Sequence, residues 1–328
     1  GGAAEYSDGL WLTIDDTDIV HVFHHDGASL RYANRTIGAL WQGIVVDSGG
    51  NVGQHSAIGV DRAGTVHIAY YDATNTSLKY ATGPAGGPFT VSTLDATGNV
   101  GQYASIAVES TGAAHVSYYD ATNGDLRYRF RSAGGTFTPS TVDVIGNVGL
   151  YTSTAVDSAG GVYVSYYDTT NNDLRFAYRT PAGSWATSTV DTAGDVGSYS
   201  SIAVDGSGSA YIAYYDASVT TLRVAVQTTG GLWTRARPDP GAYLGQYASI
   251  ALDGAGRAHV SYYDEGIFLL NADLGHAVRG AGGTWTLSPV PSTNATGTFT
   301  RSATVGNQVF ATFFDSTDSD FRFARYCP

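Results

Sequence analysis

Residues 115–120 read HVSYYD, a short apolar run that closes on two tyrosines and an aspartate. The run returns along the chain with an aromatic pair before the aspartate, and once, near the start, with a histidine pair instead. Its copies end at Asp26, Asp72, Asp120, Asp168, Asp216, Asp264 and Asp315. Upstream of five copies a glycine recurs every 48 residues, at Gly53, Gly101, Gly149, Gly197 and Gly245. A fixed period of this length predicts a fold built from one repeated unit.

Each repeat has the pattern of four short strands, A to D, separated by turns rich in Gly, Asn and Asp. Strands A and B are apolar on both faces, as in SIAV (105–108), which is typical of strands covered by sheets on both sides. Four-stranded antiparallel units stacked face to face around an axis are propeller blades. A solenoid would need polar capping repeats at its ends, and none is evident in the sequence. We therefore predict that residues 1–328 form a single seven-bladed all-β propeller domain.

The two ends of the chain predict how the ring closes. The last repeat runs through strand C at residues 321–325 and then stops, so it lacks a strand D. Residues 1–8 precede the first strand A, where a strand D would lie. We expect this N-terminal segment to supply the outer strand of blade seven.

The repeats resemble those of secreted bacterial β-propellers of the SIAVD…HVSYYD type, here at 201–205 and 115–120, over nearly the whole chain. They are also distantly similar to the Asp-box (BNR-type) repeats of sialidases. The C–D turns GGTW (282–285) and GSW (183–185) keep the Gly and Trp of that box without its Ser and Asp, so sialidase activity is not implied. The resemblance implies a bacterial protein located outside the cell or at the cell surface, with an architecture like that of propeller lectins.

Composition argues against several classes of partner. The formal charge is −12 and the pI is about 4.8, which disfavours binding to nucleic acids and to anionic membranes. No apolar run approaches the ~20 residues of a membrane span, so we expect no membrane insertion. Cys327 is the single cysteine, which excludes a disulfide within the chain.

Three repeats depart from the common pattern near one edge of the predicted ring. Strand A begins and strand B ends at this edge, which we call the top rim. His24 and His25 replace the paired tyrosines of strand B, and His55 replaces the strand-A tyrosine. Arg301 and Trp11 stand where four other repeats have serine. Ring closure makes blades seven, one and two neighbours, so these departures are predicted to mark one site. His24 and His25 alternate along their strand and face opposite ways, so at most one of them is expected to meet His55.

Other features of the top rim support a binding surface. The B–C loop of blade one is short, whereas that of blade six is long and carries Phe268 in an apolar stretch. A short loop on one side of the rim and a long loop on the other favour a pocket between them. Tyr103, Tyr119 and their equivalents repeat around the same rim, either as interblade filler or as platforms for repeated, weak sugar binding.

The residue types suggest carbohydrate chemistry. Arg binds carboxylates or sulfates in a bidentate manner, and aromatic rings stack on sugars. The leading hypothesis is a lectin-like propeller that binds a glycan through Trp11, His55, Arg301, Tyr103, Tyr119 and Phe268. One alternative is a metal-independent polysaccharide lyase that uses His24, His25 or His55 for proton transfer and Arg301 to neutralise a uronate. A scaffold for protein partners, through the loop at Phe268, is the third hypothesis.

No spacing in the chain resembles a zinc site, and no cofactor is expected. His21, His67, His115 and His259 share one strand-B position that other repeats fill with Tyr or Phe, which favours a packing role over a metal set. The D–A loops, such as residues 191–195, offer oxygen ligands without matching an EF-hand, so calcium there is an open alternative.

Overall fold

The computed structural model describes residues 11–36, 38–228, 231–266, 273–280, 282–288, 296–315 and 320–326. These residues form 27 β-strands and no helix, in seven antiparallel sheets whose strands follow one another in chain order. The prediction of an all-β seven-bladed propeller is confirmed. No helix in the described part of the chain is long and apolar enough to cross a membrane.

The blades contain the following strands. Blade one contains β1 (Trp11–Ile14), β2 (Ile19–His25), β3 (Leu30–Thr36) and β4 (Gln42–Asp47). Blade two contains β5 (Val52–Val60), β6 (Thr65–Asp72), β7 (Ser77–Pro84) and β8 (Thr90–Asp95). Blade three contains β9 (Val100–Val108), β10 (Ala114–Asp120), β11 (Asp125–Arg131) and β12 (Phe137–Asp143). Blade four contains β13 (Val148–Val156), β14 (Val162–Asp168), β15 (Asp173–Arg179) and β16 (Trp185–Asp191).

The remaining blades continue the same order. Blade five contains β17 (Val196–Val204), β18 (Ala210–Asp216), β19 (Thr221–Gln227) and β20 (Trp233–Ala236). Blade six contains β21 (Leu244–Leu252), β22 (Ala258–Asp264), β23 (Asp273–Arg279) and β24 (Trp285–Leu287). Blade seven contains β25 (Thr296–Val305), β26 (Gln308–Asp315) and β27 (Asp320–Tyr326). The strand D assigned to residues 1–8 lies outside the described residues.

The first strand of each blade contacts the first strands of both neighbouring blades, so strand A is innermost in the ring. Blade seven meets blade one in this way, through β25 and β1. Leu12, Val20 and Val22 of blade one pack there with Phe310 of blade seven in one apolar cluster. The first and the last blade are therefore in direct contact, and the ring is closed.

Hydrogen bonds between blades explain the repeated residues of strand B. The Tyr118 hydroxyl donates to Asp95 of the preceding blade at 2.7 Å. Asp120 accepts the backbone N–H of Thr122 in the following turn and pairs with Arg127 at 2.6 Å. The Tyr–Asp bond recurs at four other blade junctions as Tyr70–Asp47, Tyr166–Asp143, Tyr214–Asp191 and Tyr262–Asp239. Because these tyrosines are buried, each hydroxyl needs a partner, which explains why the pair repeats.

Candidate functional site in the axial channel

A collar of aromatic side chains surrounds the ring axis. In six blades strand A contains a non-glycine residue in the left-handed region, with φ between 46° and 55°, where the register with strand B shifts. These residues are His55, Tyr103, Tyr151, Tyr199, Tyr247 and Phe299. The left-handed conformation costs an L-residue about 1–2 kcal/mol. Strain of this kind persists only where surrounding contacts hold it, and it is frequent at functional sites.

Contacts between blades hold the collar in place. Neighbouring rings pack with centroids 4.6 to 4.9 Å apart along the series from His55 to Phe299. The carbonyl groups of these left-handed residues accept hydrogen bonds from the next blade. Thr152 Oγ1 donates to Tyr103 O at 2.6 Å, and Ser200 Oγ donates to Tyr151 O at 2.8 Å. The collar is thus a preformed structure that needs no ligand to assemble.

A second ring of hydroxyl groups lies two residues further along strand A. Each serine oxygen accepts a backbone N–H of the next blade at 2.9 to 3.1 Å. The four pairs are Ser105 with Thr154, Ser153 with Ile202, Ser201 with Ile250, and Ser249 with Ser302. Because a hydroxyl accepts and also carries one hydrogen, each serine can still donate to a ligand.

The collar and the hydroxyl ring enclose a cavity of about 530 Å³ on the axis. This volume falls in the range typical of small-molecule sites. Every blade contributes to its wall, through Trp11, His55, Tyr103, Tyr151, Tyr199, Tyr247 and Arg301 among others. The described lining residues include no Asp or Glu, and Arg301 is their one Lys or Arg. The acidic protein therefore has a locally cationic axial cavity.

Arg301 and Trp11 occupy the hydroxyl-ring position in blades seven and one. The register pairs Arg301 with Thr312 and Trp11 with Phe23, as it pairs Ser105 with Ser117 in blade three. The guanidinium carbon of Arg301 lies 4.0 Å from the Trp11 ring centre, within the range of a cation–π interaction.

The guanidinium of Arg301 is incompletely satisfied. Its Nη1 donates to the Thr300 carbonyl at 2.7 Å, whereas its Nε is buried without a hydrogen-bond partner. No described carboxylate lies within ion-pair distance of it. Desolvation by burial lowers the pKa of Arg301 to about 10, so the group is still a cation near neutral pH. An anion in the cavity would pair with the guanidinium charge and could accept a charge-assisted hydrogen bond from it.

Two tyrosines of the collar are held protonated. Burial raises the pKa of Tyr151 first, and the nearby phenols of Tyr103 and Tyr199 raise it further. Burial raises the pKa of Tyr247, and the neighbouring phenols add to this rise while Arg301 opposes it. These phenols therefore act as hydrogen-bond donors and acceptors and not as phenolates.

The candidate residues from the sequence separate into two groups. Trp11, His55, Tyr103 and Arg301 line the axial cavity together, so the structure brings them into one site. His55 is part of the collar, with its ring 4.6 Å from that of Tyr103.

The other candidates lie elsewhere. His25 Nε2 lies 2.8 Å from Asn51 Oδ1 in the loop before blade two. Tyr119 bonds Asn147 in the same way, at 2.7 Å. His24 occupies the position of Tyr118, whose side chain faces the preceding blade; burial lowers the His24 pKa, which leaves the imidazole neutral at pH 7. Phe268 lies outside the described residues.

Two parts of the cavity wall were not among the sequence candidates. Phe299 completes the collar beside Tyr247, and the serines of strand A form the hydroxyl ring. The collar residue follows the repeated glycine of strand A by two positions and the serine follows it by four, as in Gly101, Tyr103 and Ser105. This spacing is the sequence signal that could have identified both.

Among the described residues, no group of three His, Cys, Asp or Glu side chains is placed to hold a metal ion. Asp191 in the D–A loop considered for calcium already accepts from Tyr214 at 2.7 Å and pairs with Arg235 at 3.0 Å.

No model of a known protein family and no curated protein matches this sequence. Solved structures do match the fold. A polysaccharide lyase of the PL25 type, an ulvan lyase, is 13% identical with a TM-score of 0.66, over 98% of this chain and 94% of the lyase. It has also been solved bound to -[GlcA(1-4)Rha3S]-. The polysaccharide lyase Uly1 is 12% identical with a TM-score of 0.64, over 99% of this chain and 91% of the other.

A lectin shares the architecture as well. The SapL1 lectin, solved with alpha methyl fucoside, is 15% identical with a TM-score of 0.57, over 87% of this chain and 96% of the lectin. Likeness at such low identity establishes the shared propeller fold. The similar structures include both sugar-binding and sugar-cleaving propellers.

Proposed function

We propose that this protein is a glycan-recognition propeller that binds an anionic sugar chain in its axial cavity. The observation that carries the proposal is the Arg301 cation, stacked 4.0 Å over Trp11 with a buried, unpartnered Nε, in a cavity wall without described carboxylates. A half-buried cation without a described counter-charge is costly, so its presence is best explained by a ligand that supplies the charge.

The rest of the wall suits a sugar. Aromatic rings provide apolar faces for the C–H groups of a pyranose, and the collar presents six of them. The serine ring provides hydroxyl donors for sugar oxygens. A carboxylate or sulfate on the same sugar would reach Arg301, whose planar fork matches either group. Polysaccharide lyases and lectins of the same fold support a carbohydrate as the ligand class.

The test is a binding panel of acidic and neutral polysaccharides with the wild type and three variants, Trp11→Ala, His55→Ala and Arg301→Ala. We expect retention of an acidic glycan by the wild type and a loss of about tenfold or more for Arg301→Ala, which corresponds to one charge-assisted hydrogen bond. Arg62→Gln is the matched control, because Arg62 is exposed in the turn between β5 and β6 and does not line the cavity. Unchanged affinity in all three variants would remove the proposed site.

A lyase is the second candidate, because the cavity holds His55, Tyr247 and Arg301 together. In β-elimination a base removes the C5 proton of a uronate, the C4–O bond breaks, a C4–C5 double bond forms, and the leaving oxygen takes a proton. Arg301 would neutralise the carboxylate, His55 would be the base, and the protonated Tyr247 phenol the acid. Ultraviolet absorbance of the unsaturated product distinguishes this activity from binding alone.

A further inference from the structure

The axial cavity is enclosed on every side around the ring axis. Its wall takes a residue from strand A of each of the seven blades. Adjacent strands A are joined by hydrogen bonds, such as Ser153 Oγ with Ile202 N at 3.1 Å and Ser200 Oγ with Tyr151 O at 2.8 Å. A ligand in the cavity therefore has no lateral exit between blades, because any gap there would break these bonds and expose buried backbone groups.

This enclosure limits how a polymer can be bound. A groove across the surface of a protein accepts an internal segment of a chain, whose two ends leave in opposite directions. A closed ring of strands accepts a chain only along its axis. The collar lines that path with aromatic rings packed 4.9 Å apart between neighbours, and hydrogen bonds to the next blade hold their backbone in place.

The charge on the wall is confined to one place. Arg301 in blade seven is the one Lys or Arg among the described lining residues, whereas four other blades have serine at that position. The described wall of the cavity can therefore pair with one anionic group through an arginine. The repeated tyrosines of the rim would instead predict several equivalent sites.

We infer that the axial cavity binds the terminal residue of an anionic glycan chain, which enters along the ring axis, with one chain end held per protein molecule. The inference rests on the proposed function, since it takes the ligand to be an anionic glycan. The anionic group of the terminal sugar pairs with Arg301, the sugar ring lies within the aromatic collar, and the remainder of the chain extends outward along the axis.

The experiment uses oligouronates of defined length, from disaccharide to decasaccharide, and measures the dissociation constant and the stoichiometry by calorimetry. End recognition predicts that the dissociation constant per mole of chain is the same from the shorter to the longer members. It also predicts that one protein binds per chain, at one of its two ends, however long the chain. A matched sulfated series tests whether Arg301 pairs with a carboxylate or with a sulfate.

A second arm blocks one chain end at a time. A bulky amide label is attached to the reducing end in one set, and the non-reducing end is modified in the other. End recognition predicts that one modification lowers affinity at least tenfold while the other leaves it unchanged. Arg301→Gln should weaken binding of every member by about tenfold or more, and Arg62→Gln should leave all values as in the wild type.

The outcomes separate the inference from the proposed function. Affinity that rises with chain length, several proteins on one long chain, and tolerance of both end modifications would overturn end recognition while leaving glycan binding in place. Absence of binding by every oligouronate and every sulfated oligosaccharide, with a correctly folded protein by circular dichroism and thermal unfolding, would overturn both.

Discussion

The guanidinium carbon of Arg301 lies 4.0 Å from the centre of the Trp11 ring, so a side chain of the last blade covers a side chain of the first. Trp11 in turn stacks on Phe23, with an interplanar angle of 9°. The contact joins positions that four other blades fill with serine. The contact between blades seven and one therefore includes Arg301, the residue that breaks the repeat and gives the cavity its charge.

Replacement of Arg301 by methionine should separate stability from function. Methionine keeps an unbranched apolar side chain over Trp11 and removes a half-buried cation whose buried Nε has no partner. We expect the free energy of unfolding to stay equal or to rise by about 1 kcal/mol, while glycan binding is lost. Chemical denaturation and calorimetry check the two parts. A loss of several kcal/mol would show that Arg301 is a structural residue.

The serine ring should contribute measurably to stability. Ser201→Ala removes the oxygen that accepts the Ile250 N–H at 3.1 Å and leaves a backbone donor unpaired between blades. We expect a loss of about 1–3 kcal/mol in the free energy of unfolding. Ser188→Ala is the control, because Ser188 is exposed on β16. Equal effects of the two changes would contradict an interblade role for the ring.

His25→Tyr distinguishes a structural histidine from a catalytic one. A tyrosine at the equivalent positions, as in Tyr71 and Tyr119, donates from its hydroxyl to the loop of the next blade at 2.7 Å. The substitution should keep a hydrogen bond to Asn51, now from the tyrosine hydroxyl, and leave stability and glycan binding unchanged. Activity of any kind that is abolished by His25→Tyr in a folded protein would assign His25 a chemical role.

The buried pair of His259 and His276 should make the protein sensitive to acid. The two rings stack with nitrogens 3.3 Å apart, and Tyr326 covers His276 at 3.9 Å. Burial first, and then His259, lowers the pKa of His276 to about 3. The unfolded chain binds this proton near pH 6.5 and the folded chain does not. The stability contributed by the neutral imidazole is therefore fully present above pH 6.5 and is lost as the pH falls towards 3. Over this range the free energy of unfolding falls by up to about 1.4 kcal/mol per pH unit.

His276→Phe tests this dependence, since Phe176 occupies the same position in blade four. The variant should show a shallower fall in the free energy of unfolding between pH 6.5 and 4 than the wild type. Parallel curves for the two proteins would show that His276 does not set the acid response.

The amino-acid sequence by itself determined the number of blades and the strands of each, because both follow from a local apolar pattern and a period of 48 residues. It also placed the departures in blades seven, one and two, since ring closure makes these blades adjacent. The tertiary structure decided which departures meet. Trp11, His55 and Arg301 share the axial cavity, whereas His25 bonds Asn51 in a neighbouring loop. The reason is physical: the direction of each side chain depends on a left-handed backbone bulge and on partners in the next blade, which arise only when the strands pair and the blades pack.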